Sequence, residues 1–271
     1  NRVHLDVAYY NTNSFDQILE IKTTAASGYT SQLINAGKIN NHGFEVQLDV
    51  APVQIRNFKW NVGINYSANT SKVEILDYAG QIQNYTIGSS GGVDILASVG
   101  KAYGTLFGTV YLRDANGNVI VGANGLPKAD SQNKVLGHYS PDWLGGITNA
   151  FTYKHVELSF LIDANVGGKI FSGSNRTGNY TGVLAQTLAG RDAAHGGLNY
   201  YYPNNTGSTK TLLTNAKAPN DEIIYDDGVI FKGVQANGTP NGQVISAQEY
   251  YKASYNISEA YLYSSTFVKL R

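Results

Sequence analysis

Several stretches of this 271-residue sequence carry residue types that could do chemistry. Gly88 to Gly92 reads GSSGG and satisfies the G-x-S-x-G expression of a serine nucleophile, with Ser90 at its centre. That expression has meaning only where a buried strand precedes the serine and a helix follows it. Here the surroundings read as a loop, so no nucleophile is expected. DANGNVIVGANG sets Asp114, Asn116 and Asn118 at the spacing of a calcium loop, yet Val119 stands where that loop needs Gly and Gly125 where it needs Glu. A hairpin turn at Asn-Gly accounts for the stretch better. His4, His42, His138, His155 and His195 are scattered without metal-ligand spacing. Asp221 and Glu222 are adjacent, with no second pair placed to divide acid and base roles. The expectation is no catalytic residue, no metal and no cofactor. Tyr200, Tyr201 and Tyr202 are the exception: consecutive tyrosines in a polar loop can stack on sugar rings or grip a peptide backbone, since aromatic side chains offer contact area at low entropic cost. Packing of the loop against itself is the alternative use.

The elements that must position these residues are strands. Twenty Tyr, nine Phe, two Trp and thirty Gly, with only 15% charged residues, favour strands and flexible turns over helices. Twenty basic residues balance twenty acidic ones, so no net field attracts nucleic acid or an anionic membrane surface. The lack of cysteine excludes disulfides and thiolate metal sites. No apolar run approaches the eighteen or so residues of a membrane helix, which excludes helical spans only. A barrel wall is apolar at every second position and looks mildly polar by hydropathy. The chain opens at Asn1 without Met and stops in what reads as a strand, so a fragment is expected.

Ser140 to Gly168 shows the alternation most plainly. With Lys154 and His155 as a two-residue loop, residues flanking the loop face each other and pairing continues outward in register. Tyr153 then faces Val156, Phe151 faces Leu158, Asn149 faces Phe160, Ile147 faces Ile162, Gly145 faces Ala164 and Trp143 faces Val166, and this face is almost wholly apolar. Thr152 with Glu157, Ala150 with Ser159, Thr148 with Leu161, Gly146 with Asp163 and Leu144 with Asn165 make the polar and small face. Phe44, Val46, Leu48 and Val50 alternate with Glu45, Gln47 and Asp49; after a short connection around APVQIRN, Phe58, Trp60, Val62, Ile64 and Tyr66 alternate with Lys59, Asn61, Gly63 and Asn65. Val3, Leu5, Val7 and Tyr9 behave likewise.

Alternation alone does not say whether the apolar face meets lipid or a second sheet. Three features favour lipid. The runs are about ten residues, the length of a tilted bilayer-crossing strand. Aromatic residues cluster near both ends of the runs, as girdles at two interfaces do. The connections at one end are short, while the other end leads into long loops, roughly 67–102 and 167–258, longer than a compact soluble domain carries. Short helices around 183–189 and 247–251, and a hairpin across Asp226-Asp227-Gly228, are expected inside the second of these.

INAGKINNHGFEVQLDV, FKWNVGINYSANTSKVEIL, VGKAYGTLFGTVYLRDANGN, GHYSPDWLGGITNAFTYKHVELSFLIDANVGGKIF, GRDAA and STFVKLR, in this order and spacing, resemble the C-terminal half of the SusC/RagA-type TonB-dependent transporters of Bacteroidetes. The resemblance implies an all-β fold, an antiparallel transmembrane segment of a 22-stranded barrel with long extracellular loops. Residues 1–271 would be part of the C-terminal barrel domain, with plug, TonB box and last strands absent, and 167–258 a long extracellular loop region. It implies active import of glycan, oligosaccharide or peptide across the outer membrane, together with a SusD-like surface lipoprotein and with TonB acting through the missing N-terminal region. With the alternation, it turns Trp143, Ile147, Phe151, Tyr153, Val156, Leu158, Phe160 and Ile162 toward lipid. Glu157, Ser159, Asp163 and Asn165 would line the lumen, and Tyr200, Tyr201 and Tyr202 would meet substrate. Two rival readings remain: a soluble secreted β-sandwich that binds glycans, and a β-rich hydrolase using Ser90 or a loop carboxylate.

Overall fold

The computed structural model describes residues 2–22, 31–214 and 217–271. Its strands run in chain order as β1 (Val3–Lys22), β2 (Ser31–Ile55), β3 (Phe58–Ile75), β4 (Asn84–Ser90), β5 (Val93–Ser98), β6 (Thr105–Gly108), β7 (Lys134–His138), β8 (Trp143–Tyr153), β9 (Val156–Val166), β10 (Lys169–Phe171), β11 (Leu198–Tyr201), β12 (Thr211–Leu212), β13 (Ile224–Ile230), β14 (Val244–Ser246), β15 (Leu262–Ser264) and β16 (Phe267–Leu270). Two helices join them, α1 (Gly173–Thr181) and α2 (Ala247–Ala253). The described helices are too short and polar to cross a membrane.

An antiparallel six-stranded sheet, ordered β1-β2-β3-β8-β9-β16, forms the wall. The β8–β9 register is the one the alternation predicts, from Tyr153 opposite Val156 through Ile147 opposite Ile162 to Trp143 opposite Val166. Lys154 takes a left-handed φ of 53° to close the two-residue turn. Because side chains alternate at period two, this register gathers the large apolar residues of the hairpin on one face, Leu144 and Leu161 excepted. The neighbouring pairs continue it: Val7 opposite Val46, Val46 opposite Tyr66, Ile64 opposite Ile147, and Ile162 opposite Leu270.

The first three strands are longer than the runs of about ten residues that alternation predicts: 20, 25 and 18 residues. Beyond Tyr9 and Phe44 the backbone ladder continues through a polar stretch, Asn11 to Asn13 opposite Asn40 to His42, where side-chain amides add hydrogen bonds across the strands. Asn40 donates to Asn11 and Asn13 across the strands (2.6 and 3.1 Å), and Tyr10 donates its hydroxyl to Asn69 at 3.0 Å. Gly43 lies under the Tyr10 ring, where a Cβ would collide with its Cζ and hydroxyl oxygen and with the Ala68 carbonyl. The connection expected around APVQIRN is tighter than its length suggests. The strand continues to Ile55, absorbs Ala51 and Pro52 in a register shift between Val50 and Val53, and turns at Arg56–Asn57. A bulge is where a strand accepts proline.

The two long connections are folded. In the first, β3 runs on to Ile75 and a four-stranded sheet of order β4-β5-β6-β7 follows. It is packed around Val93, Leu106 and Leu136, and around Val73, Leu76 and Ala97. GSSGG is thus the end of β4 and a two-residue turn into β5. It has a strand on both sides, where a nucleophile elbow has a helix after it. In the second, β11 to β14 make a four-stranded sheet ordered β12-β11-β13-β14, the cap. The hairpin expected across Asp226-Asp227-Gly228 is corrected: these residues lie inside β13, which shifts register against β11 beside them. An Asp-Asp-Gly signal marks an interrupted ladder as well as a turn. The helix expected around 183–189 is a short 3-10 turn, Ala185–Leu188, preceded by the unpredicted α1; the helix expected around 247–251 is α2.

Candidate functional site

Two regions present chemistry: the wall, with its two faces, and a tyrosine cluster in the cap.

On the wall, Trp143, Ile147, Phe151, Tyr153, Val156, Leu158, Phe160 and Ile162 share one face, and Glu157, Ser159, Asp163 and Asn165 share the other. Leu5, Val7, Val156, Leu158 and Leu270 are each more than half exposed, so the described residues put no second layer over their side of the sheet. Aromatic clusters bracket that face. Trp60 stacks on Phe151 with ring centres 5.6 Å apart, and Phe151 on Phe160 at 6.2 Å, near the tight turns. Tyr66 meets Trp143 at 5.7 Å toward the cap. From Trp143 to Phe151 is eight strand residues, about 27 Å along the strand, or about 20 Å once a tilt near 40° is allowed for.

The opposite face holds a groove of about 480 Å³ floored by Gly145 and Gly146 and edged by Asp6, Glu45, Asn65 and Asp163. The carboxylate of Asp163 pairs with Arg271 at 2.9 Å. Asn165 donates to the Ser265 carbonyl at 2.9 Å while its own amide oxygen is buried without a partner. Glu157 and Ser159 are exposed.

In the cap, the three expected tyrosines separate. Tyr200 is only 2% exposed: it stacks on Tyr225 (5.3 Å), meets Tyr202 edge-on (5.8 Å) and donates its hydroxyl to Asp227 at 3.0 Å. Burial and the Asp227 carboxylate both push the Tyr200 phenol above the ordinary tyrosine range. Its ring is therefore packing rather than contact surface, while Tyr201 and Tyr202 are half-buried. The cluster is set by residues that sequence spacing did not point to. Lys210, 8% exposed, lies 2.8 Å from Glu249 and within 5.4 Å of the Tyr202 ring centre. Burial draws the Lys210 ammonium down, but the hydrogen bond and charge of Glu249 outweigh it and leave it above the ordinary lysine value. Burial raises Glu249, and the bonds from Lys210 and Ser246 overcome this to hold it below the usual carboxylate value. The same Glu249 closes a capping box with Ser246 at the start of α2. Only the Ser-x-x-Glu spacing of that box is legible in the sequence; Lys210 lies 39 positions away.

The remaining motifs resolve locally. Asp114 accepts the backbone N–H groups of Asn116 and Asn118 and the Asn118 amide, so hydrogen bonds within the turn occupy its carboxylate. Among the described residues no three His, Asp or Glu converge as metal ligands. Glu222 is buried and accepts the Asn204 N–H, and Asp221 beside it is exposed.

No protein-family model matches the chain. TonB-dependent receptor P26 of Formosa agariphila is 27% identical over 193 residues, 63% of this chain and 19% of the relative. TonB-dependent receptor P3 of the same organism is 24% identical over 256 residues, 85% of this chain and 24% of the relative. TonB-dependent receptor SusC of Bacteroides thetaiotaomicron is 23% identical over 175 residues, 60% of this chain and 17% of the relative. The chain thus spans a quarter or less of the length of these relatives. Among solved structures, the RagAB peptide importer in its closed-closed state superposes over 100% of this chain and 26% of its own, with TM-score 0.57 and 14% identity. Its open-open state covers 63% of this chain and 19% of its own, with TM-score 0.51 and 16% identity.

Proposed function

We propose that the chain is of the SusC/RagA type of TonB-dependent receptor, to whose members it is similar, and that it forms part of the barrel wall and extracellular cap of an outer-membrane importer of glycans or peptides. In this reading residues 1–271 belong to the C-terminal barrel domain and 167–258 to its extracellular side. A SusD-like lipoprotein is the partner at the cap, and TonB acts through parts of the protein outside this chain. The chain's part is to bind and conduct, with no catalytic group.

The observation that carries the proposal is the single apolar face continuous over six strands and left open to its surroundings. A soluble sandwich would have to cover it, because so large an exposed apolar patch is rare on soluble monomers. Lipid covers it instead, with Trp143, Ile147, Phe151, Tyr153, Val156, Leu158, Phe160 and Ile162 against acyl chains. Glu157, Ser159, Asp163 and Asn165 then face the aqueous lumen. The aromatic clusters at the two ends of the band suit headgroup girdles. Strands of 20 and 25 residues outreach a bilayer, so their Asn-rich halves stand outside it on the cap side. In the cap, Tyr201 and Tyr202, braced by buried Tyr200, are the substrate-facing aromatics.

The test is fractionation of the complete gene product with surface proteolysis of intact cells. Recovery in the outer membrane with cleavage confined to the cap supports the reading; recovery in the detergent-free soluble fraction sinks it.

A further inference from the structure

The cap contains a cleft of about 520 Å³ between α1, the segment around Arg191 and α2. Its chemistry is uneven. Tyr180 and Tyr251 line the cleft, the Tyr180 ring packed on Tyr255 with centres 4.5 Å apart, and two cations, Arg191 and Lys252, stand against one carboxylate, Asp227, already engaged by the Tyr200 hydroxyl. Arg191 donates from Nη2 to the Gly182 carbonyl and, at 2.9 Å, to the buried Thr187 hydroxyl. Among the described residues the rest of its guanidinium fork makes no hydrogen bond. Lys252 has its Nζ 5.3 Å from the Tyr180 ring centre and forms no ion pair with a described residue. The Tyr251 hydroxyl lies 2.8 and 2.9 Å from the Gln186 and Ala189 carbonyls, which fixes the ring in place. Ala247 is the one aliphatic side chain in the lining, and Gln248 adds an exposed amide.

We propose that this cleft is a binding subsite for an acidic oligosaccharide, with a uronate carboxylate held by Arg191 and Lys252 and a sugar ring resting on Tyr180 or Tyr251. The proposal deepens the import reading by naming a ligand class for the cap. A guanidinium with free donors suits a planar carboxylate, and an ammonium beside it adds charge without demanding geometry. Aromatic faces and amides suit sugar rings and hydroxyls. A peptide with apolar side chains would need hollows for them, which this lining lacks, and an acidic peptide is the competitor that the titration separates.

The experiment titrates the full-length protein in detergent with tetragalacturonate, maltotetraose or a tetra-aspartate peptide. Tetragalacturonate should bind and maltotetraose should not, and raising salt should weaken binding. Arg191→Gln and Lys252→Gln should each weaken it by about tenfold or more, the scale of one charge-assisted contact. Lys252→Gln is the safer variant, because Arg191 also ties α1 to Thr187. Equal binding of maltotetraose, tighter binding of the peptide, no binding of tetragalacturonate, or unchanged affinity in Lys252→Gln would overturn the assignment. If the protein sits in the outer membrane and charge plays no part in binding, this inference alone fails. If it fractionates as a soluble protein, the import reading fails whatever the titration returns.

Discussion

The indole N–H of Trp60 reaches the side-chain oxygen of Asn149, 3.2 Å away across the β3–β8 pair. Asn149 stands between Val62 and Phe160 on the apolar face, and with that face against lipid, as proposed, its amide would have no water to bond. The indole supplies one partner and lets the polar side chain stay. Trp60→Phe removes that partner and should cost about 1 to 3 kcal/mol, the scale of a buried group left unsatisfied. The double variant Trp60→Phe/Asn149→Leu, which removes both partners, should assemble as well as the parent, and Asn149→Asp worse than Trp60→Phe. The yield of heat-modifiable barrel from outer membranes ranks the three.

Ile162 and Asp163 are adjacent and point to opposite sides. Ile162 lies opposite Ile147 and Leu270, while Asp163 lies opposite Gly146 and Lys269 and pairs with Arg271. An arginine facing hydrocarbon at the midplane costs roughly 2 to 4 kcal/mol. Ile162→Arg should therefore impair assembly, whereas Asp163→Asn should be tolerated, losing only a partly exposed ion pair. Equal outer-membrane yield of the two variants would remove the lipid assignment of this face.

The β8–β9 hairpin was readable residue by residue because one physical rule governs it: period-two alternation on either side of a two-residue turn. The same rule found the middle of β1 to β3 and missed their far halves. There Asn11, Asn13, Asn40 and Asn69 add side-chain hydrogen bonds to the backbone ladder, and a stretch with polar residues on both faces looks like a loop. The cap was least legible. Its strands are two to seven residues long, and its central contacts join Tyr200 to Tyr225 and Lys210 to Glu249, pairs chosen by tertiary packing rather than by spacing. The Asp-Asp-Gly stretch misled for a related reason: local turn chemistry was overridden by pairing of β13 with strands on both sides.

Gly43 is required by close approach rather than by backbone conformation, since the Tyr10 ring lies across the space a Cβ would fill. Gly43→Ala should displace that ring and break its hydroxyl bond to Asn69, at a cost of about 1 to 3 kcal/mol for overpacking. The double variant with Tyr10→Ala should recover part of the loss. Denaturant unfolding of the purified full-length protein reads both.

Lys210 and Glu249 give the cap a pH window. Glu249 is held below its ordinary value of 4.5 in the folded cap, so its contribution is complete above about pH 4.5 and fades as the pH falls through the lowered value. Lys210 is held above its ordinary 10.5, so its contribution is complete below about pH 10.5 and fades as the pH rises through the raised value. The cap should resist proteolysis between these limits and open below the first. Glu249→Gln keeps a side chain that can still serve the capping box but removes the charge, so cleavage should become faster at pH 7 and less sensitive to acid. Lys210→Met should also speed cleavage at pH 7, because Glu249 then loses its cation while remaining partly buried. The two losses should not add in the double variant, since each single change already breaks the same pair. Additive losses would place the stabilisation in separate contacts and dissolve the predicted window.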